Sequence, residues 1–208
     1  MKTTHLRKTL AAAALLSTVV LAGCSDNNMS GMPGMGSSSA ASPAAPAGSA
    51  SASSTATFND ADVMFAQMMI PHHKQAVEMS DMILAKKGVD PDVTKLAEQI
   101  KAAQEPEITT MSGWLTSWGA SQPSMGGMAM GGSGEMSDAE MTALDQADGA
   151  AAQKLYLQGM VKHHQGAIQM AQDQITKGKN PEAVALAKSI VSSQQEEITT
   201  INGLLAKL

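Results

Sequence analysis

A chain that repeats itself is restricted to a small set of architectures, and this 208-residue sequence repeats over most of its length. With an offset of 91 positions, Met69, His72, His73, Ala76 and Met79 fall on Met160, His163, His164, Ala167 and Met170. After a one-residue gap the match resumes at an offset of 90. Gly88 then meets Gly178, Pro91 meets Pro181, Leu96-Ala97 meets Leu186-Ala187, and Gln104 meets Gln194. Glu107-Ile108-Thr109-Thr110 likewise meets Glu197-Ile198-Thr199-Thr200. Within each copy the apolar residues recur every three or four positions. Phe65, Met68, His72, Ala76, Met79 and Ile83 share one stripe, and Val93, Leu96, Ala97, Ile100, Ile108, Met111 and Leu115 share the next. Asn59 or Asp60 is a suitable N-cap for the first run and Gly88 its stop, while Asp90 followed by Pro91 opens the second. The second copy reads the same way, from about Gly149 to Thr176 and from Asn180 to the end, and Ser137 with Glu140 forms a capping box for a short lead-in helix. Alternating strand patterns are missing. The expected fold is all-α, an antiparallel four-helix bundle made of hairpins 58–118 and 137–208, with the Met/Gly-rich linker 119–136 as crossover.

The remaining segments read as targeting and tether. Lys2, Arg7 and Lys8 precede an apolar run from Leu10 to Ala22, too short for a permanent membrane span. Leu21-Ala22-Gly23-Cys24 resembles the lipobox of bacterial lipoproteins, which implies a signal peptide over residues 1–23, cleavage before Cys24 and acylation of that residue. Cys24 is the only cysteine, so an intramolecular disulfide or thiolate metal cluster is excluded. Residues 24–57 are rich in Ser, Ala, Pro, Gly and Met, a composition that cannot offset the entropy of ordering. As a flexible coil this tether would reach about 30 Å. Removing residues 1–23 takes away three bases and no acid, shifting the formal charge from −5 to −8. An acidic chain without a basic stripe excludes a nucleic-acid partner and favours cations.

Set His5 of the signal aside, and His72, His73, His163 and His164 are the only histidines. At about 100° per residue, Met69, His72, His73, Ala76 and Met79 lie within an arc of about 120°, with the small alanine at its centre. Donor atoms can converge there. A lone histidine on an apolar face is ordinarily a hydrogen-bonded core residue and a methionine there is core filler, the reading that fits Met64, Met68, Met82, Met111 and Met141. Two adjacent pairs at equivalent places need more partners, and metal ligation supplies them. Gln104, Glu107, Gln194 and Glu197 sit on the neighbouring helices, placed to orient imidazole N–H groups or to ligate; for Glu107 and Glu197 a solvated flank is the alternative. Pro71 has no counterpart in the other copy, where Lys162 stands, and should kink its helix. Met29, Met32 and Met35, and then Met125, Met128, Met130 and Met136, lie in glycine-rich segments with no evident core to fill. Thioethers are soft ligands that select Cu(I), and imidazole accepts both copper oxidation states, so copper fits this donor set better than iron or zinc.

The doubled pattern of Met, two residues, His-His, two residues, Ala, two residues, Met, followed on the next helix by Gln-x-x-Glu-Ile, resembles the bacterial family known as domain of unknown function 305. The resemblance covers about residues 58–208. It implies a ferritin-like bundle and, as in some exported members, copper binding that protects the cell. Met69, His72, His73, Met79, Met160, His163, His164 and Met170 inherit the metal assignment by that resemblance. The expected protein is therefore a lipid-anchored copper binder facing away from the cytoplasm, which sequesters copper or hands it to a partner. A ferritin-like dinuclear oxidoreductase is the second reading, although the Glu-x-x-His spacing of such enzymes is absent around all four histidines. A surface interaction module with structural histidines is the third.

Overall fold

The computed structural model describes residues 57–122 and 133–208, all within one compact unit that spans Ser51–Leu208. The described residues form five helices and no strand: α1 (Asp60–Leu84), α2 (Pro91–Ser117), α3 (Asp138–Gln146), α4 (Gly149–Lys177) and α5 (Pro181–Leu205). The ends follow the anticipated chemistry. Asn59 and Asp62 make a reciprocal capping box at α1, Ser137 and Glu140 make another at α3, and Asp90 and Asn180 cap α2 and α5 ahead of a first-turn proline. The first helix ends at Leu84, ahead of the Gly88 expected to stop it, and Pro71 lies inside α1 as the sequence places it.

Each repeat is a hairpin, α1 on α2 and α4 on α5, and the pairs join mainly along α1 and α4, with α2 meeting α5 at only a few positions. The join is antiparallel and nearly twofold symmetric. At one end the buried carboxylate of Asp62 accepts the backbone N–H groups of Lys179 and Asn180 in the α4–α5 turn, with the amide of Gln174 beside them. At the other end the repeat puts Gln153 in the place of Asp62, and its side-chain oxygen accepts from the backbone N–H of Asp90 in the α1–α2 turn at 3.0 Å. Each hairpin thus caps the turn of the other, satisfying backbone donors that a buried helix start would leave orphaned.

The core divides in two. Met79, Ile83, Leu96, Ile100, Tyr156 and Met160 belong to one apolar cluster, and Phe65, Met69, Ile70, Met111, Leu115 and Ile190 to the other. Between them each long helix contributes a polar step: His72 and His73, Gln104, His163 and His164, and Gln194, all buried. This layer, held between two apolar clamps, is where the repeat concentrates its unusual residues.

The unequal caps make a direct prediction. Asp62→Ala strips several buried donors of a charged acceptor and should destabilise the fold by about 3 kcal/mol, whereas Gln153→Ala, which loses one neutral bond, should cost about 1 kcal/mol. Urea unfolding of the two variants measures the difference.

Candidate metal centre

The antiparallel contact of α1 with α4 brings the two histidine pairs together. His72 and His163 lie ring on ring, centroids 3.7 Å apart and planes inclined by 36°. Within each pair the rings are wider apart, 6.5 Å for His72 and His73 and 6.4 Å for His163 and His164, as adjacent positions on a helix require. All four rings are removed from solvent.

Their outward nitrogens are held. Nε2 of His73 donates to Glu107 at 2.7 Å and Nε2 of His164 donates to Glu197 at 2.6 Å, so the repeat appears again as two matching imidazole–carboxylate pairs. Nε2 of His72 donates to the backbone carbonyl of Ser133 at 2.9 Å. A carboxylate or carbonyl oxygen can only accept, which places the proton on Nε2 in all three rings. Among the described residues Nδ1 of His72, His73 and His164 has no partner, and His163 has none at either nitrogen. Five buried ring nitrogens of the layer therefore have no hydrogen-bond partner among the described residues.

Burial is also what sets the charge state. Desolvation pushes the His72 pKa down to about 3, against a raising contribution from the Ser133 carbonyl and with further lowering by His73 and His164. Desolvation holds His163 well below its ordinary value, reinforced by His72, His164 and His73 and opposed by the His72 backbone carbonyl. Both rings are neutral at physiological pH, the form in which a nitrogen lone pair can reach a metal.

The methionines surround this layer on both sides. Met79 and Met160 lie in one apolar cluster, Met69 in the other, and half-buried Met170 packs against the latter. Met136, expected as a ligand in an open loop, is instead core. Its Sδ lies 2.6 Å from where a Cβ on Gly159 would stand, and the Met79 methyl lies 3.2 Å from the same point. Met64, read as filler, is 58% exposed, whereas Met111 is buried as anticipated. Met29, Met32, Met35, Met125, Met128, Met130 and Cys24 lie outside the described residues. Gln104 and Gln194 share the histidine layer, and both amide atoms of Gln104 and the carbonyl oxygen of Gln194 are buried without a partner among the described residues. No three His, Cys, Asp or Glu side chains among the described residues already stand as a closed ligand cluster. Ser133 and its anchor Gln75 escaped the sequence reading; the one hint was that α4 carries Gly159 and Gly166 where α1 carries Met68 and Gln75.

The profile of the family described as domain of unknown function (DUF305) matches residues 62–205. The chain belongs to this family. Similar solved structures include a DUF305 fragment from Deinococcus radiodurans, 29% identical with a TM-score of 0.66, covering 72% of this chain and 98% of that one. A DUF305 protein from Streptomyces coelicolor, provisionally named as secreted, is 38% identical with a TM-score of 0.66 and covers 71% and 91%. CopM in its Cu(II)-bound form is 34% identical with a TM-score of 0.62 and covers 70% and 96%; CopM has also been solved with Cu(I) and with silver. An uncharacterized protein of Acanthamoeba polyphaga mimivirus is 42% identical over 52 residues, 25% of this chain. That stretch spans 34% of the viral protein's length.

The depressed histidines give the metal-free fold an acid limit. Unfolded, His72 and His163 titrate at the ordinary 6.5; folded, His72 titrates near 3 and His163 well below its ordinary value. Between those values the unfolded chain binds more protons, so the stability they confer is whole above about pH 6.5 and drains away as the pH falls toward 3. Thermal unfolding with a chelator present should show this decline. His163→Phe, which keeps a ring against His72 without the titrating nitrogens, should make it shallower.

Proposed function

We propose that the chain is an exported copper-binding protein, lipid-anchored through Cys24, that sequesters copper or passes it to a partner, and that it is not an enzyme. The observation that carries this reading is the set of five unpartnered ring nitrogens at the centre of an otherwise well-packed core. An unsatisfied buried polar atom costs about 1 to 3 kcal/mol, and a fold tolerates several side by side where something else completes them. A cation bound at Nδ1 of His72, His73 and His164, with His163 as the fourth ring, would do so. Glu107 and Glu197 behind two of the rings would strengthen those ligands and offset the charge brought in.

The surroundings favour a soft cation. No carboxylate of the described residues reaches an inward nitrogen, and the next side chains along the axis are thioethers and hydrocarbons, a setting suited to Cu(I) more than to a hard divalent ion. Copper and silver in CopM, which is similar along most of the described residues, support the same reading. The His72 and His163 ring centroids lie 3.7 Å apart, closer than two imidazoles stand when each holds one ion by a nitrogen at about 2 Å. Loading the centre therefore turns at least one of them. In this proposal the helices make a ferritin-like four-helix bundle with one shared centre, and the chain works outside the cytoplasm.

Anaerobic titration with Cu(I) against a chromophoric chelator tests the reading. The double substitution of His72 and His73 by Ala should lower affinity by about 10-fold or more and also reduce binding attributable to His163 and His164, since the pairs share one centre. Glu107→Gln should weaken binding by about 10-fold. Wild-type protein that leaves the chelator fully loaded would refute copper binding. Separately, Cys24→Ser should move the protein from the membrane to the soluble fraction, and a variant still bound to membrane would refute the anchor.

A further inference from the structure

The repeat makes α1 and α4 equivalent, yet one short segment treats them differently. Residues 133–136, at the end of the linker, cross the groove between these helices directly over the histidine layer. On the α1 side Gln75 grips the backbone of Met136 twice. Its amide donates to the Met136 carbonyl at 2.8 Å, and its oxygen accepts from the Met136 N–H at 2.8 Å. On the α4 side the equivalent of Gln75 is Gly166, where any Cβ would collide with the Ser133 carbonyl oxygen. One turn-pair earlier the equivalent of Met68 is Gly159, where the Met136 thioether takes the place of a side chain. The helix is reduced to glycine at the two places the segment must touch, and a glutamine clamps it from across the groove.

The consequence falls on one atom. The segment is laid so that the Ser133 carbonyl meets Nε2 of His72 at 2.9 Å. We propose that Gln75, with Gly159 and Gly166, is a positioning element for the centre. By holding the Ser133 carbonyl against His72 it fixes the proton on Nε2 and presents Nδ1 of that ring as the lone-pair donor. Glu107 and Glu197 do the same for His73 and His164 from neighbouring helices, so the linker end supplies, through backbone, the third orienting acceptor. His163 has no side-chain or linker acceptor behind it and meets only the His72 backbone carbonyl, so it is the least firmly held of the four rings. The duplicated sequence thereby yields a centre with three fixed ligands and one adjustable ligand. This extends the copper reading, but its structural half stands without a metal.

Long-range proton–nitrogen NMR of the metal-free protein reads the tautomer of each imidazole. In the wild type His72 should be the Nε2–H form. In Gln75→Ala, which frees the segment without disturbing packing, and in Gly166→Ala, which pushes it away, His72 should become a mixture of tautomers, while His73 and His164 keep theirs. Cu(I) affinity should fall about 10-fold in both variants. An unchanged His72 tautomer in both variants overturns the proposal. So does an altered tautomer with undiminished affinity, because the segment would then not serve the ligand. A wild type that binds no Cu(I) would refute the proposed function, and with it the ligand role, while the tautomer comparison still decides whether Gln75 sets the ring.

Discussion

Everything in the polar layer follows from the way α1 lies on α4. The two helices are antiparallel and offset so that equivalent positions of the repeat meet near a twofold axis, and the residue nearest that axis is His72 against His163, 3.7 Å ring to ring. That contact is poor by itself, for both rings are desolvated and each has a buried ring nitrogen without a side-chain partner. It persists because the helices are fixed elsewhere. Each apolar cluster clamps one half of the axis, and the crossed caps, Asp62 to the α4–α5 turn and Gln153 to the α1–α2 turn, prevent the hairpins from sliding. Fully burying one large apolar side chain contributes about 1.5 to 3 kcal/mol, the same order as leaving one ring nitrogen unsatisfied. Two clusters of such side chains can carry a strained layer between them.

How much of this was legible in the sequence depended on whether a periodic signal carried it. The 91-residue and 90-residue offsets, the three-and-four spacing and the capping residues specified the hairpins and located four long helices and a short one, because helical period and cap chemistry are local. The same spacing put His72, His73, His163 and His164 on inward faces, and the structure buries all four. Glu107 and Glu197, on the flank of their stripe, reach the rings because glutamate is long enough to bend inward from a half-buried position. Gln104 and Gln194 lie deeper, yet both amide atoms of Gln104 and the carbonyl oxygen of Gln194 are without a partner among the described residues.

Other features left no periodic trace. The bond from His72 to Ser133 is made to a backbone carbonyl, and no side chain at position 133 announces it. Met136 was misjudged for a related reason. Its glycine-rich neighbours argued for an open loop with no core nearby, but Gly134, where a Cβ would collide with the Lys162 carbonyl oxygen, lets the chain press against α4 while the Met136 thioether lies in the core. The signal that would have exposed both lay in the mismatches of the repeat. Where two copies share every candidate ligand of a site and one then has Gly159 and Gly166 against Met68 and Gln75, the glycines mark the path of something else.

That asymmetry bears on how a symmetric scaffold could exchange a cation. A centre whose four rings were all backed by acceptors would be rigid, and release would need several hydrogen bonds to break together. One whose rings were all free would be costly to bury and poorly organised for binding. Here three rings are backed, by Glu107, Glu197 and the Ser133 carbonyl, and His163 is not. In the proposed function ligand replacement would begin at His163, since no side chain or linker carbonyl backs that ring, while the other three would hold the ion in place. A binding protein that must both hold and surrender a soft cation is served by this division, and the gene repeat alone, being symmetric, would not have produced it.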